Sequence, residues 1–269
     1  MKRTVLIAVL LLLTPVAGLG QADGPGRQDG PSLQAPAAQD GPTIVIVHGA
    51  WGGGWDWKPV ETMLRAQGRV VYRPTLTGLG ERHHLASPEV GLETHVADVA
   101  NVLIWERLDD VVLVGHSYGG MVITGVAERV PDRIRRLVYL DAFLPFDGEC
   151  VRSVGNDNDD ACGEVDPSTP GLVDGLVVPR WVDPDDPYPR DVPHPAKTFV
   201  DRVELEGEPG HGVPASYILT VDSPGADDDF GGMAERAREL GWPVVEMVSD
   251  HNAQRSARAV LVQLLLGMR

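Results

Sequence analysis

The chain carries the stretch Val111-Val112-Leu113-Val114-Gly115-His116-Ser117-Tyr118-Gly119-Gly120, in which a largely β-branched run ends in Gly-x-Ser-x-Gly. A helical pattern follows it to about residue 130. This motif between a strand and a helix is typical of a nucleophile elbow, a sharp turn that lifts the serine hydroxyl above a sheet. The flanking glycines allow the strand and the helix to approach each other closely. Ser117 is therefore the predicted nucleophile.

The rest of the sequence predicts strands that alternate with helices. Residues 43–47 form a nearly continuous β-branched run, as expected of a parallel strand buried on both faces. Further strands are predicted at 70–72, 136–140, 216–221 and 244–248, and helices at 55–66, 93–105, 119–130, 233–240 and 255–266. This alternation predicts an α/β fold, a mostly parallel sheet with helices on both faces.

Length and charge narrow the possible classes of protein. A chain of 269 residues with ordinary apolar content can bury one sizeable core, so we expect one domain over residues 43–269 with an insertion. The net charge of −16 argues against binding to nucleic acids and to anionic lipid, which both require basic surface. An acidic surface instead favours solubility of an exported protein.

The N-terminal segment predicts export. Lys2 and Arg3 precede an apolar run from Val5 to Leu13, so residues 1–20 are interpreted as a secretory signal peptide. Nine apolar residues fall short of the roughly 20 that span a bilayer, so no stable membrane anchor is expected after cleavage. Residues 21–42 repeat Asp-Gly-Pro among Gln and Ala, and this composition predicts a disordered linker. We expect a secreted or periplasmic protein.

One segment, at about 143–200, breaks the alternation of strands and helices. It is rich in Pro, Gly and Asp, and a long irregular segment inside a domain is usually functional, so it is the predicted lid of the active site. Cys150 and Cys162, the only two cysteines, lie in it and are expected to form a disulfide in an exported protein. Between them, residues 156–160 are rich in oxygen ligands. They lack the glycine and the terminal glutamate of an EF-hand, so calcium is the less favoured alternative.

The partners of the nucleophile are expected to follow it in the sequence. A serine hydroxyl needs a base within hydrogen-bond reach, and a carboxylate must orient that base. His251 alone among the eight histidines lies beyond the last predicted strand, just before the closing helix, and is the predicted base. Asp222, at the end of strand 216–221, is the predicted acid. Asp141, at the end of the preceding strand, is the rival.

Other histidines are given supporting roles. His48 and His116 flank functional positions and are expected to be structural hydrogen-bond donors. His83, His84 and His194 could line the pocket or simply be solvated.

Four stretches of the sequence carry a family resemblance. They are His48-Gly49-Ala50-Trp51, Leu76-Thr77-Gly78-Leu79-Gly80-Glu81-Arg82, Gly115-His116-Ser117-Tyr118-Gly119-Gly120 and Asp141-Ala142-Phe143-Leu144-Pro145. Together they resemble the α/β-hydrolase superfamily, and within it the branch of plant methyl-ester esterases, hydroxynitrile lyases and their bacterial relatives. The resemblance covers Thr43 to about Leu266 and implies the α/β-hydrolase fold. It also implies an oxyanion hole formed by the backbone N–H groups of Ala50 and Tyr118, which would stabilise charge that appears only in the tetrahedral transition state.

Departures from that branch bear on the reaction. The lyases carry a threonine at the position of Gly49 and a lysine at that of Asn252, so this sequence favours hydrolysis over cyanohydrin cleavage. The end of strand 216–221 is one residue out of register with the family pattern. The choice between Asp222 and Asp141 therefore stays open.

These observations predict an exported serine esterase, a hydrolase that cleaves small carboxylic esters through an acyl-enzyme. Neither a metal nor an organic cofactor is expected, and the partner is a small-molecule ester. A lactone or amide hydrolase is an alternative within enzymes. A ligand-binding, receptor-like member of the superfamily with vestigial hydrolysis is an alternative of another class. The sequence does not indicate acyl or alcohol specificity or the oligomeric state.

Overall fold

A computed structural model describes residues 41–155, 161–223, 225 and 229–268. The predicted signal peptide and nearly all of the predicted linker lie outside these residues. The strands found in the described part of the chain are β1 (Ile44–Val47), β2 (Val71–Tyr72), β3 (Val111–Ser117), β4 (Ile134–Ala142), β5 (Leu172–Val173), β6 (Leu176–Val177), β7 (His194–Pro195), β8 (Ala215–Val221) and β9 (Val244–Val248). Six of them form a sheet in the order β2-β1-β3-β4-β8-β9, and every pair in it is parallel.

Both faces of this sheet are covered. The α-helices in the described residues are α1 (Lys58–Ala66), α2 (Leu92–Trp105), α3 (Gly119–Arg129), α4 (Gly231–Glu239), α5 (Ala253–Ser256) and α6 (Arg258–Gly267). Successive residues of β1 alternate between two apolar clusters, because neighbouring side chains of a strand point to opposite faces. One cluster includes side chains of α2, α3 and α4, and the other includes side chains of α1 and α6. The prediction of a parallel sheet between two helical layers is confirmed.

Two predicted helices differ in detail. The helix expected at 55–66 begins as a short 3₁₀ helix over Gly54–Trp57, and α1 starts only at Lys58. Pro59 explains this boundary, because proline has no N–H group to bond to the preceding turn. The helix expected at 255–266 is divided into α5 and α6, since Ala257 leaves the helical conformation with a φ of −134°. No helix in the described ranges is both long and apolar enough to cross a membrane.

The chain between β4 and β8, residues 143–214, is an insertion into the sheet topology. It contains a second, antiparallel sheet in the order β5-β6-β7, together with a 3₁₀ helix over Ala196–Phe199. The segment predicted as a lid, about 143–200, lies within it. The irregular chain continues to Pro214, directly before β8. Its role as a lid stays a prediction.

A disulfide joins Cys150 to Cys162 within the insertion, as the sequence predicted. It closes a short loop, and Gly163 N just after it donates a hydrogen bond to Val200 O at 2.8 Å. The acidic segment 156–160 inside this loop lies outside the described residues, so calcium stays the less favoured alternative. Among the described residues, no group of three or more His, Cys, Asp or Glu side chains could hold a metal ion.

We expect protein recovered from outside the cytoplasm to show no thiol that reacts with Ellman's reagent in denaturant, and two after reduction. Reduction should lower the free energy of unfolding by about 2–3 kcal/mol, because the cross-link restricts the unfolded chain. A Cys150→Ala/Cys162→Ala variant is the control and should be insensitive to reductant. Two reactive thiols before reduction would contradict the pairing.

Candidate active site

The predicted elbow is present at the junction of β3 and α3. Ser117 ends β3 with a φ of +55°, in the left-handed region, and α3 begins two residues later at Gly119. A Cβ on Gly115 would lie 2.6 Å from Gly119 O. A Cβ on Gly120 would lie 2.0 Å from Phe143 O. Only glycine therefore fits at 115 and 120, and this close approach of strand, helix and neighbouring chain determines the position of Ser117.

His251, the predicted base, lies in the loop between β9 and α5. Its ring Nδ1 is 2.6 Å from a carboxylate oxygen of Asp141, and no described residue forms a hydrogen bond with its Nε2. The ring of His116 donates a hydrogen bond from Nε2–H to His251 O at 2.8 Å. The His251 ring also stacks on Phe230, with the ring centroids 5.0 Å apart. Phe230 and Ser117 line the same cavity, so the imidazole packs against a residue of that cavity's lining.

The carboxylate beside His251 belongs to Asp141 and not to Asp222, which corrects the prediction from sequence. Asp141 is fully buried. Its second oxygen accepts a hydrogen bond from Thr220 N at 3.1 Å, so both oxygens are fixed. Asp222 follows the last residue of β8 and is exposed. The rival considered for the acid is therefore the residue that the structure pairs with His251.

A β-bulge explains why Asp141 reaches the histidine. His116 pairs with Leu140 across β3 and β4, but Ser117 pairs with Ala142, so Asp141 is an extra residue in β4. Its φ is +44°, outside the range of a regular strand. Bulges are frequent beside active sites because they redirect one side chain. Here the bulge lies directly opposite the elbow.

The two predicted oxyanion donors are in the same region. Ala50 and Tyr118 line the cavity together with Ser117, and neither backbone N–H donates a hydrogen bond to a described residue. His48 is buried behind this loop. Its Nδ1–H donates to Gly49 O at 2.8 Å, and its Nε2 accepts from Leu76 N at 3.1 Å. Both donors are thus available to a ligand in the cavity, and their role stays a prediction.

Four buried histidines surround the site, namely His48, His95, His116 and His194. Burial lowers the pKa of each, to about 3 for His116 and to about 4 for His95. They are therefore neutral near pH 7, and each ring can donate through one nitrogen and accept through the other. His48 and His116 are structural donors, as predicted, because each donates to a backbone carbonyl.

We expect the free energy of unfolding to fall as the pH decreases below about 6.5. The unfolded chain protonates its histidines near their ordinary pKa of 6.5, whereas His95 and His116 stay neutral in the folded protein down to about 4 and about 3. The unfolded state therefore binds more protons in this range, and each such histidine contributes a slope of up to about 1.4 kcal/mol per pH unit. Above pH 6.5 the neutral histidines contribute their full stabilisation to the free energy of unfolding. Urea unfolding at a series of pH values between 7.5 and 4.5 measures it.

The matched control for this slope is His95→Gln. Glutamine keeps a donor and an acceptor for Thr77 O and the Tyr118 hydroxyl, which His95 contacts at 2.8 and 2.9 Å, but it does not titrate. Carboxylates protonate equally in both proteins, so the difference in slope isolates His95. Identical slopes would show that His95 is not kept neutral by burial.

The cavity at Ser117 has a volume of about 360 Å³. The sheet side contributes Ala50, Trp51, Ser117 and Tyr118, and the remaining lining residues are Phe143, Val151, Arg152, Val165, Thr169, Val177, Ala196, Phe199, Val200 and Phe230. Most of them come from the insertion and are apolar. Arg152 donates a hydrogen bond to the Thr169 hydroxyl at 3.1 Å and is the one charged side chain among the described lining residues.

Comparison with known proteins agrees with this geometry. The sequence model of the Alpha/beta hydrolase family matches residues 44–264, from β1 into α6. The chain belongs to the alpha/beta hydrolase family. The predicted fold class is thereby confirmed, and Ser117, Asp141 and His251 all lie within the part that matches.

Relatives of this alpha/beta hydrolase include bacterial and plant esterases. A carbendazim hydrolyzing esterase from Nocardioides sp. (strain SG-4G) is 54% identical over 111 residues, which are 41% of this chain and 46% of that protein. Salicylic acid-binding protein 2 from Nicotiana tabacum is 32% identical over 108 residues, 40% of this chain and 42% of that protein. The chain thus matches less than half the length of these curated relatives. The predicted resemblance to the plant methylesterase branch is confirmed, since methylesterase 1 from Arabidopsis thaliana also matches.

Solved structures show the same fold. An extracellular alpha/beta-hydrolase from a Paenibacillus species superposes with a TM-score of 0.65 at 24% identity, covering 84% of this chain and 98% of that one. A methylesterase from Arabidopsis superposes with a TM-score of 0.64 at 23% identity, covering 84% and 98%.

Sequence reasoning missed two features of this alpha/beta hydrolase site. Phe230 covers one face of the His251 ring with the two planes inclined by only 5°. No signal in the sequence distinguishes such an aromatic residue from any other near the start of a helix. The hydrogen bonds of Trp51 were missed as well, although this residue directly follows Ala50 in a stretch that carries the family resemblance.

Proposed function

We propose that this chain is a serine esterase that hydrolyses small carboxylic esters through an acyl-enzyme. One observation carries the proposal: His251 Nδ1–H donates to the buried Asp141 carboxylate, Nε2 has no hydrogen-bond partner among the described residues, and the ring stacks on Phe230 of the Ser117 cavity. A base arranged in this way can take the serine proton, and a buried carboxylate stabilises the imidazolium that results.

The proposed reaction has two halves. Ser117 Oγ attacks the ester carbonyl while His251 Nε2 takes its proton, and the N–H groups of Ala50 and Tyr118 bind the oxyanion. Collapse of the tetrahedral intermediate breaks the bond to the alcohol, which leaves with the proton from His251. Water then attacks the acyl-enzyme with the same base and releases the acid.

The apolar cavity supports small, uncharged ester substrates. Its volume of about 360 Å³ is at the lower end of the range for small-molecule sites. The names of the bacterial and plant relatives, which are esterases and a carbendazim hydrolyzing enzyme, support the same class of reaction. We propose further that the insertion acts as the lid of this site, because it contributes most of the cavity lining.

Export is part of the proposal. The apolar run after Lys2 and Arg3 favours secretion to the periplasm or the medium. The Cys150–Cys162 disulfide supports it, because such bonds persist mainly in oxidising compartments.

A substrate panel tests the proposed activity. It comprises p-nitrophenyl and methyl esters of graded acyl length, a lactone, an anilide and carbendazim. We expect turnover of short, uncharged esters, with kcat/KM falling once the acyl chain exceeds the cavity. Turnover of the lactone or the anilide alone would favour the alternative hydrolases. Saturable binding of esters by the protein without turnover would indicate a receptor-like member.

A further inference from the structure

Trp51 joins the oxyanion loop to the insertion by three hydrogen bonds. Its backbone N–H donates to His194 Nδ1 at 3.0 Å, and its indole Nε1–H donates to Val177 O at 2.9 Å. Its carbonyl oxygen accepts from Val192 N at 2.9 Å. Val177 and His194 are partners in register across β6 and β7. The paired residues Val177 and His194 therefore accept both N–H groups of Trp51, the residue that follows Ala50.

These contacts hold the peptide groups on both sides of Ala50. The Ala50 N–H belongs to the same planar peptide group as Gly49 O, which accepts a hydrogen bond from His48. The next peptide group carries the Trp51 N–H, which is bonded to His194. The direction of the Ala50 N–H is thus fixed from the sheet side by His48 and from the insertion by His194.

The His194 ring is held in the tautomer that this contact requires. It is fully buried, and its Nε2 is 2.7 Å from the hydroxyl of Thr198. That hydroxyl donates its own proton to Pro195 O at 2.8 Å, so it accepts from His194 Nε2–H. Nδ1 is then unprotonated and can only accept. The ring also stacks on Phe199 and meets the edge of Tyr118, with centroids 4.5 and 5.1 Å apart.

We propose that His194 is a positioning residue through which the insertion completes the oxyanion hole. By accepting the Trp51 N–H, it keeps the Ala50 N–H directed at the developing oxyanion. The inference rests on the proposed esterase function, because only that reaction forms the oxyanion. It extends that function by making transition-state stabilisation depend on the docked insertion.

The test is His194→Phe, which keeps an aromatic ring for packing but removes the acceptor. We expect kcat for p-nitrophenyl acetate to fall by roughly 10- to 100-fold, part of the loss seen when an oxyanion donor is removed, with KM changed much less. Affinity for a methyl trifluoromethyl ketone, which forms a tetrahedral adduct with the serine, should weaken in parallel. The corresponding secondary alcohol forms no tetrahedral adduct, so its affinity should not change.

Two further variants make the test specific. His194→Asn places an amide oxygen near the position of Nδ1 and should recover part of the lost kcat. Asp201→Asn is the matched control. Asp201 also docks the insertion, through a 2.9 Å bond from Leu92 N, but it forms no hydrogen bond with Trp51 and is not among the described residues that line the cavity. It should leave kcat and ketone affinity near wild type.

The outcomes separate this inference from the proposed function. A wild-type protein that hydrolyses no ester overturns both. An active wild type whose kcat and ketone affinity are unaffected by His194→Phe overturns the inference alone. If His194→Phe does not fold, His194→Leu replaces it, because leucine is close to histidine in size and likewise offers no acceptor to the Trp51 N–H. Unchanged kcat and ketone affinity in that variant would then overturn the inference.

Discussion

Ser117→Ala is expected to fold like the wild type and to lose ester hydrolysis, with kcat lower on the order of 10⁴- to 10⁶-fold. Its hydroxyl oxygen would form the acyl-enzyme, and Ser117 is the lining residue that lies at the elbow between β3 and α3. Covalent labelling by a fluorophosphonate should disappear as well, because this reagent reacts with an activated serine.

Binding provides the control for that variant. The substitution removes one oxygen from a cavity whose other lining residues stay in place, so affinity for a non-reactive substrate analogue should be nearly unchanged. Undiminished labelling of Ser117→Ala would assign the nucleophile to another residue. Lost labelling with unaltered ester turnover would contradict an acyl-enzyme at Ser117.

Asp141→Asn is expected to lower kcat on the order of 10⁴-fold with little change in folding. Asparagine can still accept the hydrogen bond from Thr220 N through its amide oxygen, which preserves the local structure. Facing His251 Nδ1, however, an amide neither stabilises an imidazolium nor fixes the tautomer with the proton on Nδ1. Steady-state kinetics with a p-nitrophenyl ester, together with thermal unfolding, measure the two effects separately.

Asp222→Asn is the matched control for Asp141→Asn. Asp222 is exposed beyond the end of β8, so this variant should retain nearly wild-type activity and stability. The reverse ranking of the two variants would restore Asp222 as the acid. Near-normal activity in both would show that neither carboxylate orients His251.

The architecture could be predicted because its signals are local. Strands buried on both faces have continuous β-branched runs, and the motif at Ser117 marks the junction of strand and helix. His251 was predicted because it alone lies beyond the last strand. In each case a short sequence segment determines the local structure of the same segment.

The acid and the role of His194 depend on contacts between distant segments. Asp141 and Asp222 both follow Ser117 and precede His251, and only the register shift between β3 and β4 distinguishes them. That shift arises from the pairing of two strands, which no single stretch of sequence encodes. His194 contacts Trp51 across 143 positions of the chain, inside an insertion that has no clear periodicity.

The left-handed backbone at Trp51, Ser117 and Asp141 has a consequence for the evolution and engineering of this protein. Their φ angles are +61°, +55° and +44°, and none of the three is glycine. Such conformations cost on the order of 1–3 kcal/mol each, which glycine would largely relieve. Selection for thermostability alone would therefore favour glycine at these three positions and remove the indole, the hydroxyl and the carboxylate. Heat tolerance has to be gained in the surrounding core, with these positions excluded from any stabilising library.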